Sequence, residues 1–383
     1  MKKIDDIESF ISQKSKMVDS SGIRKVFDLA QKIENPINLS IGQPDFDIPE
    51  EIKKEAIKAI ELGFNKYTVT QGIEPLREKL AEVVNRKRGT KYTKDDCIIT
   101  SGVSGGLVLL LLSILNEGDE VLFFDPYFVM YKHLVKLFGG KPIIVDIYPD
   151  FKISNKKKEI ESKITEKTKA IIINSPANPT GKILDKTDID VIYNIAKRNN
   201  ILVISDEIYD EFVYDGEYSS IASVYPEGTV LLGGFSKTYA MTGWRIGFAF
   251  GPQIIIKEMI KLQQYTFVCA PSFAQYASIK ALDYDMSKYI KRYKKKRDMV
   301  YEGLSDNFNV VKPEGAFYAF PSPKDADINV KKFVDECIRE GVLIIPGDVF
   351  SERITNFRLS FAASDKTIEV GIEKINSIYK KQS

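Results

Sequence analysis

Short apolar runs alternate with segments of helical spacing through the middle of the chain. The runs lie at Cys97–Thr100, Val121–Phe124, Pro142–Ile147, Ala170–Asn174, Ile201–Ser205, Thr229–Leu232 and Ile246–Gly251. Runs that are apolar at nearly every position are typical of strands covered by helices on both faces, and such sheets are mostly parallel. The pattern predicts an α/β fold whose large domain has a mostly parallel seven-stranded sheet sandwiched by helices.

The pattern differs at the two ends of the chain. Residues 1 to about 35 predict one or two amphipathic helices, with Ile7, Phe10 and Ile11 on one face. After about Pro271 a long helical region is followed by strand-like pieces between helices. The pieces are Ala316–Phe320, Val342–Ile345 and Phe357–Phe361. We therefore expect an N-terminal arm with part of a small domain at 1–50, the large domain at 51–280, and the rest of a small α+β domain at 281–383.

Small, polar, aromatic and ionisable residues follow the ends of the predicted strands. In chain order they include Val103, Ser104, Phe128, Asn178, Asp206, Tyr209, Ser236, Lys237 and, just before the last strand, Arg245. In open α/β sheets, ligands bind beyond the carboxyl ends of the strands. The sequence therefore predicts that these residues gather at one edge of the sheet.

A phosphate site is one chemical possibility at this edge. Val103 and Ser104 begin the helix that carries the apolar run Leu107–Leu115, so their N–H groups and the helix dipole can hold an anion. Ser236 and Arg245 can add a hydroxyl and a positive charge. The chain lacks a Gly-x-Gly-x-x-Gly motif and a complete P-loop, which disfavours a nicotinamide enzyme or a kinase.

The remaining edge residues suit a flat, electron-poor ring. Asp206 directly follows an apolar strand, where its charge needs a cationic partner such as a protonated ring nitrogen. Phe128 can stack, and Tyr209 and Asn178 can donate to a phenolate oxygen. Lys237 is either solvated or held in a pocket that lowers its pKa for Schiff-base chemistry. Each feature also has a purely structural interpretation: a helix cap for Asp206, a turn around Asn178 and core packing for Phe128.

Composition narrows the class of protein further. The chain has 383 residues, 44% of them hydrophobic and 28% charged, and a formal net charge of +2. This balance predicts a globular protein with no general attraction to nucleic acid or membranes. The run Leu107–Leu115 is too short to cross a bilayer, and the acidic N-terminus is unlike a signal peptide, so we expect a cytoplasmic protein.

The few cysteines and the single histidine exclude other chemistry. Cys97, Cys269 and Cys337 are widely separated, so neither a disulfide framework nor a zinc site is expected. His133 lies on a predicted helix and cannot form a multi-histidine metal site alone. We expect no metal, and we expect proton transfer to depend on another residue type.

Three motifs taken together resemble a known family. Asn178-Pro179-Thr180-Gly181, Asp206-Glu207-Ile208-Tyr209 and the stretch from Ser236-Lys237 to Arg245-Ile246-Gly247 occur in this order. They resemble the class I and II aminotransferases, fold-type-I enzymes that use pyridoxal 5′-phosphate. The resemblance extends from Gly42–Phe46 to Phe357–Phe361, nearly the whole chain.

The resemblance implies roles around the cofactor ring. Lys237 would form a Schiff base with the cofactor and, once released, carry the proton at the substrate α-carbon. Asp206 would keep the pyridine nitrogen protonated, while Tyr209 and Asn178 bond the phenolate oxygen and Phe128 stacks on the ring.

The resemblance also implies how the phosphate and the substrate are held. Val103, Ser104, Ser236 and Arg245 would bind the phosphate, together with Tyr67 from a second subunit. This shared site implies a homodimer. Arg358 would bind the substrate α-carboxylate, with help from Gly42 and Asn178.

The implied reaction transfers an amino group between an L-amino acid and a 2-oxo acid, with 2-oxoglutarate as the expected acceptor, in two half-reactions. Gly234 stands where some members have a phosphate-binding serine, and no residue is visible for a second substrate carboxylate. The residues expected near the pocket wall are apolar or aromatic and favour neutral or aromatic donors. They are Ile23, Tyr67, Tyr127 and Phe350.

Two alternatives remain open from the sequence. A carbon–sulfur β-lyase on the same scaffold would use the same residues around the ring. A cofactor-sensing regulator would need an additional DNA-binding module, for which the first 35 residues are too short and not basic enough.

Overall fold

The computed structural model describes residues 7–19, Gly22, Val26 and 33–382, and strands alternate with helices along most of that span. The strands are β1 (Ile37–Asn38), β2 (Cys97–Thr100), β3 (Glu120–Asp125), β4 (Lys141–Asp146), β5 (Thr168–Asn174), β6 (Leu202–Asp206), β7 (Thr229–Gly234), β8 (Gly247–Phe250), β9 (Phe308–Asn309), β10 (Tyr318–Ala319), β11 (Ser322–Pro323), β12 (Val342–Leu343), β13 (Ile345–Pro346) and β14 (Phe357–Ser360). The helices are α1 (Gln13–Lys16), α2 (Glu50–Glu61), α3 (Glu74–Arg88), α4 (Gly102–Ile114), α5 (Met130–Leu137), α6 (Lys157–Lys163), α7 (Lys186–Asn199), α8 (Gln253–Tyr265), α9 (Ser272–Ala281), α10 (Ser287–Leu304), α11 (Val330–Arg339) and α12 (Asp365–Gln382). No described helix is long and apolar enough to cross a membrane.

The large sheet of the described residues has seven strands in the order β2-β8-β7-β6-β5-β3-β4. The five strands from β7 to β4 run parallel to one another. Strand β8 is antiparallel to both of its neighbours, so β2 has the same direction as the parallel group. The prediction of a mostly parallel seven-stranded sheet is confirmed.

Both faces of this sheet are buried, as the continuous apolar runs predict. On β5, Ile171 and Ile173 belong to the same core cluster as Ile192 of α7. The residue between them, Ile172, belongs to the opposite cluster with Leu110 of α4. Successive side chains of a strand point to opposite faces, so helices cover the sheet on both sides. The predicted sandwich of helices is confirmed.

A smaller unit combines segments from both ends of the chain. Strand β1 pairs in parallel with β12, and β10, β14 and β13 form an antiparallel sheet. Leu39, Val300 and Ile372 contribute to one apolar core with residues of these strands. This arrangement brings the segment after β1 next to β14, which places residues 40–42 near Arg358.

The N-terminal helix prediction is only partly confirmed among the described residues, since Gly22 and Val26 are helical but residues 7–19 contain only short elements. Residues 7–10 form one 3₁₀ turn, and α1 has only four residues. Ile7, Phe10 and Ile11 are exposed, so they form no buried face in this chain. The Ser12 hydroxyl accepts a hydrogen bond from the Ser15 N–H and caps the N-terminus of α1. Helix α1 therefore begins anew at Gln13, and residues 7–16 do not form one continuous helix. Apart from Gly22 and Val26, residues 20–32 lie outside the described part.

Candidate active site

A cavity of about 250 Å³ lies at the sheet edge where β3, β5, β6 and β7 end. Its lining includes eleven of the predicted site residues: Gly42, Val103, Ser104, Phe128, Asn178, Asp206, Tyr209, Ser236, Lys237, Arg245 and Arg358. The lining also includes Leu107, Met130, Tyr131, Asn174, Ile208, Thr242 and Tyr318, which the sequence did not single out. The strand ends therefore bring together residues that are far apart in the chain.

Lys237 lies three residues after β7 and is half-buried. Its Nζ donates a hydrogen bond of 2.6 Å to the carbonyl oxygen of Gly42. Burial lowers the pKa of Lys237 to about 8, and the positive charges of Arg358 and Arg245 act in the same direction. Near neutral pH a useful fraction of the amine is therefore unprotonated, as a nucleophile or base requires.

Asp206 is the last residue of β6 and is buried. Its Oδ2 accepts a hydrogen bond of 2.7 Å from the Tyr131 hydroxyl, and its Oδ1 accepts a longer one of 3.3 Å from the Ile208 N–H. Burial raises the pKa of Asp206 to about 6, although these hydrogen bonds oppose the shift. The carboxylate is positioned to receive a cation that would restore its ionised form.

Tyr209 and Asn178 lie on either side of Arg358 in the contact network. The Tyr209 hydroxyl is 2.8 Å from the hydroxyl of Tyr318, and its ring lies 5.8 Å from Lys237 Nζ. Oδ1 of Asn178 accepts a hydrogen bond of 3.1 Å from Arg358 Nη1. Both side chains are buried, so their remaining hydrogen-bonding capacity is directed toward one another or toward the cavity.

Arg358 is a buried cation whose hydrogen bonds go to neutral acceptors. Nη2 donates to the carbonyl oxygen of Ser40 at 2.7 Å, and Nη1 donates to Asn178. Nε has no acceptor among the described residues. The guanidinium carbon lies 4.5 Å from the ring centres of both Tyr318 and Phe350, so it packs over two aromatic rings. An unpaired buried guanidinium is a receptor for an anion, and a carboxylate matches its geometry.

The N-terminus of α4 forms the other end of the cavity. Gly102 has a φ of +68°, and a Cβ there would lie 2.6 Å from Nη2 of Arg245, so the guanidinium packs directly against this helix start. Val103, Ser104 and Ser236 line the same region. Backbone N–H groups, a helix dipole and a guanidinium together favour a phosphate-sized anion.

Gly234 does not line the cavity. It lies opposite Gly247 in the β7–β8 pairing, and a Cβ at Gly234 would come within 3.2 Å of the Gly247 Cα and of Ile208 Cδ1. The close approach of the two strands accounts for glycine at this position.

The expected pocket wall is only partly found in this chain. Tyr67 is 83% exposed and does not line the cavity of its own chain. Tyr127 is buried outside the cavity lining, and its hydroxyl donates a hydrogen bond to Glu352. Phe350 packs on the Arg358 guanidinium. Tyr127 and Phe350 do not themselves line this cavity, although Phe128 and Arg358 beside them do, so their place near the pocket wall stays a prediction. Ile23 lies outside the described residues.

Four polar residues that line the site were missed, namely Tyr131, Asn174, Thr242 and Tyr318. Tyr131 lies three residues after Phe128, and this helical spacing could have placed its hydroxyl near the strand ends. Asn174 ends β5, and its Oδ1 accepts a hydrogen bond from the Asn178 N–H at 2.8 Å. Tyr318 comes from the small unit, and no local pattern marks it because only the tertiary fold brings β10 to the cavity.

Comparisons with known proteins agree with this geometry. A family model described as aminotransferase class I and II matches residues 34–375. The chain is 38% identical to aromatic-amino-acid aminotransferase 2 of Thermococcus litoralis, over 97% of this chain and 99% of the relative. It is 37% identical to an aspartate aminotransferase of Pyrococcus abyssi, with the same coverage of 97% and 99%.

A solved structure of a single mutant of the Thermus thermophilus aspartate aminotransferase superposes with a TM-score of 0.90. It is 32% identical, and the match covers 96% of this chain and 99% of that one. The matched region includes the cavity and every strand of the large sheet. The chain therefore belongs to the class I and II aminotransferases and is a transaminase.

Proposed function

We propose that this transaminase binds pyridoxal 5′-phosphate in the cavity and moves an amino group from an L-amino acid to 2-oxoglutarate in two half-reactions. One observation carries the proposal: a single cavity contains a lysine amine with a pKa lowered to about 8 and a buried arginine without an anionic partner. The first suits covalent chemistry at a carbonyl, and the second suits an amino acid or 2-oxo acid carboxylate.

The residues present fit the cofactor at both of its charged ends. Asp206 is a buried carboxylate whose hydrogen bonds come from Tyr131 and the Ile208 N–H, and no cation among the described residues is directly bonded to it. A protonated pyridine nitrogen could therefore act as its cationic partner. At the other end, the Arg245 guanidinium packs against the start of α4, because glycine at position 102 leaves room for it, and this brings a positive charge beside the helix N-terminus. Val103, Ser104, Ser236 and Arg245 would hold that phosphate, and Tyr209, Asn178 and Phe128 would contact the ring.

The bound cofactor supplies an electrophilic carbonyl and an electron sink for the substrate α-carbon. Lys237 Nζ would be the amine that attaches the cofactor to the chain, and once released it would move the proton at that carbon. Asp206 would keep a positive charge on the ring nitrogen, and the 2.7 Å hydrogen bond from Tyr131 favours the ionised form of the carboxylate. These residues perform the proton chemistry without the histidine that many enzymes use.

Arg358 orients the substrate through its α-carboxylate. The two aromatic rings fix the plane of the guanidinium, and the bonds to Asn178 and Ser40 fix its rotation. A carboxylate bound there would lie in the same cavity as Lys237, within which the α-carbon must approach the amine. Binding energy at the carboxylate is thereby used to orient the reacting bond.

We infer a preference for neutral or aromatic amino donors. Among the described residues that line the cavity, Lys237, Arg245 and Arg358 are the cations, and each already has a role in the proposal. A second carboxylate on the substrate would therefore lack a dedicated partner from this group. The names of the relatives include both an aromatic and an aspartate aminotransferase, so a donor panel must decide between the two classes.

A homodimer would complete the site. Tyr67 is 83% exposed and Tyr265 is 84% exposed, and Phe267 and Val268, which closely follow Tyr265 in sequence, are also exposed. The loop of Tyr67 packs on this segment, since Gln263 Nε2 donates to the Thr70 carbonyl oxygen. Large apolar side chains concentrated in this way mark a protein interface. The Phe267 ring also lies 3.7 Å from where a Cβ on Gly105 of α4 would be, so this surface adjoins the phosphate end of the cavity.

A single-turnover experiment tests the proposal. Cofactor-loaded protein is mixed with one L-amino acid at a time, without an acceptor, while the cofactor absorbance and the products are followed. We expect conversion to the aminated cofactor with one equivalent of 2-oxo acid, and reversal with formation of glutamate when 2-oxoglutarate is added. Release of pyruvate and ammonia, with no aminated cofactor for any donor, would instead support the β-lyase alternative.

A further inference from the structure

Tyr318 is a cavity residue that the sequence did not identify. It is fully buried on β10, which pairs with β14 so that Tyr318 lies opposite Ser360, two residues from Arg358. The small unit therefore presents Tyr318 and Arg358 together to the large sheet.

Tyr318 contacts three residues with different proposed roles. Its hydroxyl is 2.8 Å from the Tyr209 hydroxyl, and its ring centre is 4.5 Å from the Arg358 guanidinium carbon. A Cβ at Gly42 would come within 2.3 Å of the same hydroxyl, so the glycine gives Tyr318 the space that it occupies. The backbone of Gly42 also accepts the hydrogen bond from Lys237.

We propose that Tyr318 is a positioning residue that supports the Tyr209 hydroxyl on the cofactor side and the Arg358 guanidinium on the substrate side. This inference rests on the proposed function, since it assigns Tyr318 a role in the same site. The hydroxyl and the ring of Tyr318 perform separable parts of that role.

The hydroxyl acts on Tyr209. A tyrosine has one proton to donate, so when Tyr209 donates to the phenolate oxygen of the cofactor, its own oxygen is left to accept from Tyr318. The result is a chain of two hydrogen bonds. The bond from Tyr318 to Tyr209 strengthens the bond from Tyr209 to the phenolate oxygen, and both lie in a buried site where such bonds are strong. Loss of the Tyr318 hydroxyl should weaken the bond from Tyr209.

The ring acts on Arg358. The guanidinium carbon lies 4.5 Å from the ring centres of both Tyr318 and Phe350, while its nitrogens donate to Asn178 and Ser40. An aromatic face attracts a cation, and the attraction is stronger when both are shielded from water. Removal of the Tyr318 ring should let the guanidinium tilt and weaken carboxylate binding, whereas removal of the hydroxyl alone should not.

Two variants separate these parts in the cofactor-loaded protein. Tyr318→Phe keeps the ring, and Tyr318→Leu removes it. The first readout is the pH titration of the cofactor absorbance, and the second is the dissociation constant of a non-reactive monocarboxylate. Tyr214→Phe is the matched control, because the Tyr214 hydroxyl donates to the Ala316 carbonyl oxygen in the same core without touching Tyr209 or Arg358.

For Tyr318→Phe we expect the apparent pKa of the absorbance titration to rise by about 0.5 unit, the scale of one weakened hydrogen bond. The weaker bond from Tyr209 leaves more negative charge on the phenolate oxygen. That charge favours a proton on the nitrogen of the Schiff base between Lys237 and the cofactor. The carboxylate dissociation constant should change by less than about twofold. Tyr318→Leu should shift the titration similarly and weaken carboxylate binding by about fivefold, while Tyr214→Phe moves neither quantity.

The inference is overturned if Tyr318→Phe titrates like the wild-type protein, or if Tyr214→Phe shifts the titration equally. If Tyr318→Leu binds the carboxylate as tightly as the wild-type protein, the Tyr318 ring does not support Arg358 in carboxylate binding. Gly42→Ala provides a second approach, since the added methyl group displaces the Tyr318 hydroxyl and should reproduce the shift of Tyr318→Phe. Failure of the proposed function is distinguishable, because the wild-type protein would then show no cofactor absorbance to titrate.

Discussion

The Tyr131 hydroxyl donates a 2.7 Å hydrogen bond to Oδ2 of Asp206, and both side chains are buried. Tyr131 lies on α5 and Asp206 ends β6, so the contact joins a helix on one face of the sheet to its carboxyl edge. Burial raises the pKa of Asp206 to about 6, and the bond from Tyr131 limits that rise. Tyr131 thus helps to keep Asp206 ionised, which pairing with a protonated ring nitrogen requires.

Tyr131→Phe should raise the pKa of Asp206 further, by about one unit, because the carboxylate loses a hydrogen bond that favours its charged form. Cofactor binding should then weaken on the acid side, with its midpoint moving from near pH 6 toward pH 7. Equilibrium dialysis of the cofactor between pH 5 and 8 measures this shift. Tyr127→Phe is the control, since its hydroxyl contacts Glu352, and an equal shift in that variant would refute the assignment.

Asp206→Asn should stabilise the cofactor-free protein at pH 7.5. The folded pKa of about 6 lies above the ordinary value of 3.8, so the ionised carboxylate opposes folding. This destabilisation develops between pH 4 and 6 and is complete above that window, where about two pKa units correspond to roughly 3 kcal/mol at most. The thermal unfolding midpoint of Asp206→Asn should be a few degrees above that of the wild-type protein at pH 7.5, with little difference near pH 4. If Asp206→Asn is less stable than the wild-type protein at pH 7.5, the claim that the ionised Asp206 carboxylate opposes folding is contradicted.

The sheet edge was predictable because the signals were local. An apolar run followed by Asp206, or by Ser236 and Lys237, marks a strand and its carboxyl end within a few residues. Nine of the eleven predicted residues that line the cavity lie next to such strand ends, whereas Gly42 and Arg358 were predicted from the family resemblance. Tyr318 and Ser40 could not be found in this way, because their contact with Arg358 arises from pairing between segments that are not adjacent in the chain. The exposure of Tyr67 likewise follows from tertiary structure.

Arg358→Lys should raise KM for the amino donor by about 30-fold, with a smaller effect on kcat. A lysine keeps the charge but loses the two-pronged hydrogen bonding and the flat surface that fits between Tyr318 and Phe350, a change of about 2 kcal/mol. Steady-state kinetics with a good donor measures the effect. Arg353→Lys is the matched control, since Arg353 pairs with Asp146 and stacks on Tyr148 outside the cavity. Equal KM changes in the two variants would argue against a carboxylate site at Arg358.

Mixing two inactive variants tests the shared site. Tyr67→Ala lacks the residue proposed to reach the partner, and Lys237→Ala lacks the amine. After unfolding and refolding together, half of the dimers should be mixed, and each would contain one intact site, so about a quarter of all sites should regain activity. Native mass spectrometry confirms that mixed dimers form. Mixed dimers without regained activity would show that Tyr67 serves its own chain or neither site.

The most direct measurement of the central claim is the chemical identity of the cofactor-linked residue. Borohydride reduction of the loaded protein, followed by peptide mapping, should place the cofactor on the peptide that contains Lys237. Incubation with an effective amino donor before reduction should remove the label, because the donor displaces the lysine. A label that persists in the presence of every donor, or that maps to another lysine, would contradict transamination at this cavity.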